Sequence, residues 1–422
     1  MRFEEYSFSA VIKKNLALAG FTRPTDIQYK AIPPILKGED VLAIAQTGTG
    51  KTAAFVIPIL DMLIADRHDG SGIRCMVMEP TRELALQITD VFNSLGKGSR
   101  IKTLCVHGGV DQDPQIEHLD EGVDILVATP GRMFDLVSQG HIATDKIQIL
   151  VLDEADHMLD LGFIHDIRQL IKIIPRRRQT LFFSATIDAD IKKLAYSLVT
   201  DAIRIQISPK DPVSKNVDHS VAFIGMDDKR FFLERLVTEH PGSRILVFVR
   251  TKVRAGRVSE AMERVSIRSL TMHGDKDQKD RISALQQFRD GDYMVLIATD
   301  VSARGIDIAG VEYVVNYDLP EKPENYVHRV GRTGRMGRDG IAFTFILKGQ
   351  GDVLTEIEQR MNRQLVADPL AQDFGVTKRA TPALASANES KDSSGTETAT
   401  VVETKKRSLN PMRRKISPRR RR

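Results

Sequence analysis

Residues 40–60 read DVLAIAQTGTGKTAAFVIPIL. A continuous apolar run, VLAIA, fits a strand buried on both faces. A Gly- and Thr-rich turn follows, and then an aliphatic stretch long enough for a helix. The turn, AQTGTGKT at 45–52, fits the phosphate-loop pattern G-x-x-x-x-G-K-S/T except that Ala45 stands in place of the first glycine. In such a loop successive backbone N–H groups and the helix N-terminus surround an anionic phosphate. Ala45, Gln46, Thr47, Gly48, Thr49 and Gly50 form the cradle. Gly48 and Gly50 permit close approach, because a Cβ there would obstruct it. Lys51 places a point charge on the outer phosphates, and Thr52 offers a hydroxyl to Mg²⁺.

The same strand–turn–helix rhythm recurs outward from that unit. RCMVMEPTRELALQITDVFNSL, VDILVATPGRMFDLV and IQILVLDEADHML continue it through about residue 206. ISPKDPVSKNVDH then carries two prolines, mixed charge and no apolar period, so residues 207–218 read as a linker. RILVFVRTKVRAGRVSEAME, IRSLTMHG, YMVLIATDVSARGID and VEYVVNYDLP resume the rhythm over 219–370. Apolar strands alternating with helices predict an α/β chain, with two parallel sheets covered by helices on both faces.

The 422 residues carry a net charge of +5, unevenly placed. Residues 371–422 hold 13 Lys and Arg against 5 Asp and Glu, a balance of +8, so the rest carries −3. That last stretch is small, polar and then basic, and is expected to be disordered. Its clusters KKR (405–407), RRK (413–415) and RRRR (419–422) suit a polyanionic partner, or serve only as a solvated end. Cys75 and Cys105, the two cysteines, sit in apolar strand runs and read as reduced thiols of an intracellular protein. No apolar run approaches a membrane span, so no membrane partner is expected.

A second stretch, IQILVLDEADHMLDLGF at 147–163, ends an apolar strand in Asp153, Glu154 and Asp156. Carboxylates at a buried strand end need a positive partner. With a phosphate loop in the same sheet, Asp153 would hold the Mg²⁺ bridging the terminal phosphates of ATP. Glu154 would orient or deprotonate the attacking water. The plain alternative is an acidic helix N-terminus.

Together, AQTGTGKT and DEAD at 153–156 resemble the DEAD-box ATP-dependent RNA helicases of superfamily 2, over about Phe3 to residue 365. The resemblance implies two tandem RecA-like domains, an RNA-stimulated ATPase, ATP and Mg²⁺ as cofactors, and sequence-independent contacts to RNA. It implies local, non-processive unwinding of short duplexes or remodelling of RNA–protein complexes, through closure of the two domains. GFTRPTDIQ at 20–28 resembles the adenine-reading motif of residues 1–29, with Gln28 on the adenine edge, Phe21 stacking and Phe3 as the upstream aromatic. SAT at 184–186 and DEAD imply coupling roles for Ser184, Thr186 and Asp156, joined by His328. Pro80, Thr81 and Arg82, Gly108 and Gly109, and Thr129, Pro130, Gly131 and Arg132 match RNA-contacting motifs of the first half. Arg250 and Thr251, Gln278 and Arg281, and Thr299 and Asp300 match those of the second. HRVGRTGR at 328–335 implies arginine fingers at Arg332 and Arg335, and ARGID implies a nucleotide contact at Asp307. Within the family the chain looks most like the bacterial RhlE-type subgroup. The expectation is therefore a cytoplasmic monomer acting on ribosomal precursors or with RNA-decay factors.

Two other functions use the same fold. A DNA translocase would differ in which nucleic acid stimulates ATP turnover. An ATP-gated RNA clamp would use the same residues without strand separation.

Overall fold

The structure is a computed structural model. It describes residues 1–46, 48–66, 72–187, 189–207, 216–303, 308, 310–334, 339–361 and 363–367. Its strands are β1 (Val41–Ala45), β2 (Cys75–Met78), β3 (Thr103–Val106), β4 (Ile125–Ala128), β5 (Ile149–Leu152), β6 (Gln179–Ser184) and β7 (Ile203–Ile207). The second set is β8 (Val217–Phe223), β9 (Ile245–Phe248), β10 (Ser269–Met272), β11 (Val295–Ala298), β12 (Tyr313–Asn316), β13 (Gly340–Ile346) and β14 (Val366–Ala367).

They form two seven-stranded sheets, ordered β3-β4-β2-β5-β6-β1-β7 and β10-β11-β9-β12-β13-β8-β14. Renumbered from its own first strand, the second sheet repeats the order of the first. Every pairing in both is parallel. The expected α/β architecture of two helix-covered parallel sheets is therefore what the chain adopts.

The continuous apolar strands follow from burial on both faces. Along β1, Val41, Ala43 and Ala45 enter one core while Leu42 and Ile44 enter the other. The helix Lys51–Ala65 lies on the first of these faces and buries Phe55, Ile59 and Leu63 there. Phe55 packs 5.3 Å from Phe183 and 6.3 Å from Phe92, ring centre to ring centre. Because β1 lies between β6 and β7, the loop after it opens at the carboxyl end of the sheet. The segment after β5 opens at the same end, two strands away.

The linker reading over 207–218 is too wide at both ends. Ile207 completes β7 against Ala45, and Val217 and Asp218 begin β8 against Gly340 and Ile341. Composition marks the prolines but not the pairing partners that claim the flanking residues. Residues 208–215 and the basic stretch 371–422 lie outside the described residues. Among the described residues no helix is long and apolar enough to cross a membrane.

One buried polar pair sits deep in the second sheet. His219 of β8 is 5% exposed, and its Nδ1 lies 3.0 Å from the Tyr326 hydroxyl. Burial, reinforced by Arg363 and opposed by Asp218, lowers its pKa from 6.5 to about 4. The unfolded chain takes up this proton below pH 6.5 but the folded chain only near 4, so the unfolded state binds more protons in that window. Stability should therefore fall as pH drops through it. From about pH 7.5 to about pH 5 this histidine should cost about 2 kcal/mol. Urea unfolding of His219→Gln beside the parent at those two pH values should show the parent losing that much more. Equal losses would remove His219 as the cause.

Candidate functional site

Gly50 is the N-cap of the helix Lys51–Ala65, with φ +93°, a conformation that favours glycine. A Cβ built there would lie 2.5 Å from Gln28 Nε2. Gln28 is buried and held from both ends: its Nε2 donates to the Gly50 carbonyl at 3.1 Å, and its Oε1 accepts from Thr25 N–H at 2.9 Å. In this structure Gln28 thus clamps the loop. Thr49 Oγ1 donates to the Gln46 carbonyl at 2.7 Å, closing the turn. Ala45 is the buried last residue of β1, Gly48 has φ +80°, and Thr52 is half-buried in the first helical turn. Thr47 lies outside the described residues. Phe3 is buried in the core edge-on to the half-buried Phe21, ring centres 5.8 Å apart, so Phe3 packs and Phe21 keeps an accessible part.

Lys51 is 5% exposed, and its ammonium makes no hydrogen bond. The nearest anion is Glu154 Oε1 at 3.9 Å. Around it stand Asp153, Asp156 and Glu79, whose charges together with Glu154 raise the lysine's pKa against the effect of burial. Burial pushes Asp153 up to about 6 despite Lys51. Burial would also raise Glu154, but Lys51, then His328, His157 and Arg332, outweigh it and bring the carboxyl down to about 2. Glu154 has φ 48°, and its N–H donates to Asp153 Oδ1 at 2.8 Å. Asp156 accepts from Thr186 Oγ1 at 3.2 Å and from Ala185 N–H at 3.4 Å. Ser184 is fully buried, and its hydroxyl has no partner.

His328 and Arg332 belong to the second half of the chain, on and just after the helix Pro323–Val330, and both are buried. Arg332 Nε donates to the His328 carbonyl at 3.1 Å. Their charges act on Glu154 of the first half, so one site draws on both sheets. Asp307 and Arg335 lie outside the described residues.

The sequence model described as DEAD/DEAH box helicase matches residues 25–194, and that described as helicase conserved C-terminal domain matches 228–337. The chain is 40% identical over 364 residues to DEAD-box ATP-dependent RNA helicase RhpA of Helicobacter pylori, covering 84% of this chain and 73% of the relative. The chain belongs to the DEAD-box ATP-dependent RNA helicases. It is 39% identical to CshA of Bacillus subtilis, across 86% of this chain and 73% of the relative. Among solved structures, S. cerevisiae Dbp5 bound to RNA and ADP BeF3 superimposes with a TM-score of 0.79 at 30% identity, covering 88% of this chain and 96% of that one. A DEAD box protein from Methanococcus jannaschii superimposes at 0.51 with 33% identity, covering 87% and 99%. The helicase is thus an RNA-dependent ATPase whose fold is the tandem RecA-like pair.

The residues expected on RNA are spread over strand-end loops. Pro80 is buried, Thr81 caps the helix Arg82–Leu95, and Gly109 approaches Arg82 so closely that a Cβ would sit 1.9 Å from its Nη1. Gly108 is near the same guanidinium. Thr129 stands at the N-cap position of the helix Pro130–Ser138 without a side-chain capping bond, Gly131 is exposed, and Arg132 Nη2 donates to the Val110 carbonyl at 2.8 Å. In the second half Arg250 N–H donates to Asp318 at 3.2 Å, and Thr251 caps the helix Lys252–Glu263. Thr299 hydrogen-bonds Ser302, and Asp300 is held by Arg329 at 2.7 Å. Gln278 and Arg281 are buried and turned to the first half, where both reach Glu83 Oε1, at 3.1 and 2.8 Å. A further pair crosses the halves on the surface: Lys322 Nζ to Asp160 at 2.7 Å.

Motif reading missed Glu79, Glu83, Arg329 and the Lys322–Asp160 pair. Glu79, Glu83, Asp160 and Arg329 lie inside quoted stretches, but none carried a signal of its own. The Gly50 geometry gives a direct test. Gly50→Ala should weaken binding of a fluorescent ATP analogue at least about tenfold, through backbone strain of about 1–2 kcal/mol and displacement of Gln28. Adding Gln28→Ala should recover part of that loss only if the collision contributes.

Proposed function

We propose that the helicase hydrolyses ATP in a site completed only when its two halves meet. The observation that carries this reading is that buried Arg332 and His328 of the second half act electrostatically on Glu154 of the first. The pairs Glu83–Arg281 and Lys322–Asp160 support the same arrangement. So does the higher TM-score with the relative bound to RNA and ADP BeF3.

The loop of Gln46, Thr47, Gly48, Thr49 and Gly50 wraps the phosphates, and Lys51 binds the outer ones. Its buried ammonium has Glu154 as nearest anion but makes no hydrogen bond within the chain, which leaves its N–H groups for an incoming phosphate. Phe21 and Gln28 receive the adenine, and Asp307 meets the nucleotide. Asp153 and Glu79 are buried carboxyls pushed toward neutral forms, a deficit of positive charge that suits a divalent cation. Among the described residues no three candidate ligands converge enough to hold an ion alone, which fits a cation shared with phosphate and water. Magnesium held by Thr52 and Asp153 supplies neutralisation of the terminal phosphates.

Glu154, held near a pKa of 2 by Lys51, is a poor proton acceptor in this state. Phosphate drawing Lys51 away raises its basicity, so the water is activated only once ATP is seated. Arg332 and Arg335 place positive charge on the transferring phosphoryl group. Thr186, bonded to Asp156, and Ser184 relay the nucleotide state to the rest of the fold. Thr81, Arg82, Gly108, Gly109, Thr129, Gly131, Arg132, Arg250, Thr251, Thr299 and Asp300 offer hydroxyls, guanidinium groups and backbone N–H to RNA phosphates, without reading bases. Gln278 and Arg281 serve closure as much as RNA.

We further infer local, non-processive unwinding, a monomeric and cytoplasmic protein, and RhlE-like work in ribosome assembly or RNA turnover. Two domains, 1–207 and 217–370, close about the segment between them.

RNA should stimulate ATP turnover and DNA of the same sequence should not; equal stimulation would favour a DNA translocase. Glu154→Gln should keep ATP and RNA binding and slow hydrolysis at least about a hundredfold, and ATP-dependent RNA release at the parent rate would assign Glu154 another role. Arg332→Ala should lower kcat while leaving KM for ATP within about threefold. The reverse pattern would mean ground-state binding.

A further inference from the structure

Glu79 has no assigned task. It follows β2 and is fully buried, yet neither carboxylate oxygen has a hydrogen-bond partner. A buried carboxylate without donors is costly, and its retention calls for a ligand outside the chain.

Its place identifies that ligand. In the register of β2 with β5, Met78 lies beside Leu152, and Asp153 N–H donates to the Met78 carbonyl at 3.3 Å. Glu79 N–H in turn donates to the Ala128 carbonyl at 2.9 Å, so the backbone continues the strand. Val77 and Val151 enter the core beneath the helix Lys51–Ala65. Strand alternation then puts Glu79 and Asp153 on that same face. Glu79 interacts electrostatically with Asp153, Glu154 and Lys51. The spot repels phosphate and attracts hydrogen-bond donors on a cation.

We propose that Glu79 is an outer carboxylate of the magnesium site, accepting hydrogen bonds from water on the cation that Asp153 holds and setting how much Mg²⁺ the nucleotide requires. This rests on the assignment of Thr52 and Asp153 to magnesium. Glu79 is a positioning residue: it acts through the cation's water and touches neither phosphate nor the attacking oxygen.

The test uses full-length protein and equilibrium binding of a fluorescent, non-hydrolysable ATP analogue, titrated with Mg²⁺ and repeated in chelator. Glu79→Gln keeps the shape and removes the anionic form that a bound cation would favour. It should raise the half-saturating Mg²⁺ about tenfold, the lower end of the loss usual for outer-shell partners. Its affinity for metal-free nucleotide should stay within about twofold of the parent, which also shows that the site is folded. Glu79→Asp, with its charge set back by one methylene, should recover part of the Mg²⁺ response. An unchanged Mg²⁺ requirement in Glu79→Gln overturns the proposal. So does an equal loss with and without metal, which marks a structural group. If the parent binds nucleotide without any response to Mg²⁺, the magnesium role of Thr52 and Asp153 fails as well.

Discussion

Lys51 is an ammonium placed where water does not reach, at the first turn of a helix whose own N-terminus is positive. Desolvation and the helix field both disfavour its charge. What holds the charge is a ring of carboxyl groups, Glu154 nearest at 3.9 Å, then Asp153, Asp156 and Glu79. The dependence is mutual, since Lys51 is the foremost of the cations that keep Glu154 ionised. Neither side is satisfied by hydrogen bonds, because Lys51 and Glu79 both have idle polar atoms. The site is therefore short of positive charge and unfinished in bonding, a state that a polyanion with its cation completes.

Everything that supplies this ring stands at the carboxyl end of one sheet. The loop comes from β1, the acidic segment from β5, Ser184 and Thr186 from the end of β6, and Glu79 from β2. A parallel sheet with two-sided cores makes that convergence possible, since all its strands deliver their ends to one edge. The second sheet repeats the strand order but brings its chemistry from the opposite end, beside Thr333, whose hydroxyl donates to the Val311 and Glu312 carbonyls just ahead of β12. There a cationic helix end carries His328 and Arg332. One topology used twice thus gives an acidic rim at the carboxyl end of one sheet and basic groups by the amino end of the other.

Much of this was legible from local text. VLAIAQTGTGKT announces strand, loop and helix because each signal lies within a few residues. The link between SAT and Asp156 was legible from the motifs only as a role, and the Thr186–Asp156 hydrogen bond supplies the contact. Glu79 was not legible, because its meaning depends on β2 lying next to β5, strands separated in sequence by two others. Gln278 and Arg281 carried the right motif, but their partner Glu83 is almost 200 residues away. The linker ends failed for a related reason. Ile207 and Val217 look like loop neighbours of prolines until β1 and β13 supply their hydrogen bonds.

Among the described residues, ties that join the two halves include ionic and amide groups: Glu83 with Arg281 and Gln278, Gln278 with Arg82, and Asp160 with Lys322. Such a seam wets when it parts, because each group exchanges its partner for water. An apolar seam of a few hundred Å² would instead hold about 5–10 kcal/mol against reopening at about 25 cal/mol per Å². In the closure cycle proposed above, halves glued that firmly would stall after one stroke. With charge as the adhesive, the resistance to reopening becomes a property of the surrounding electrolyte. The exposed Asp160–Lys322 tie weakens as the Debye length shrinks from about 10 Å at 0.1 M salt, while the buried Glu83–Arg281 tie barely notices.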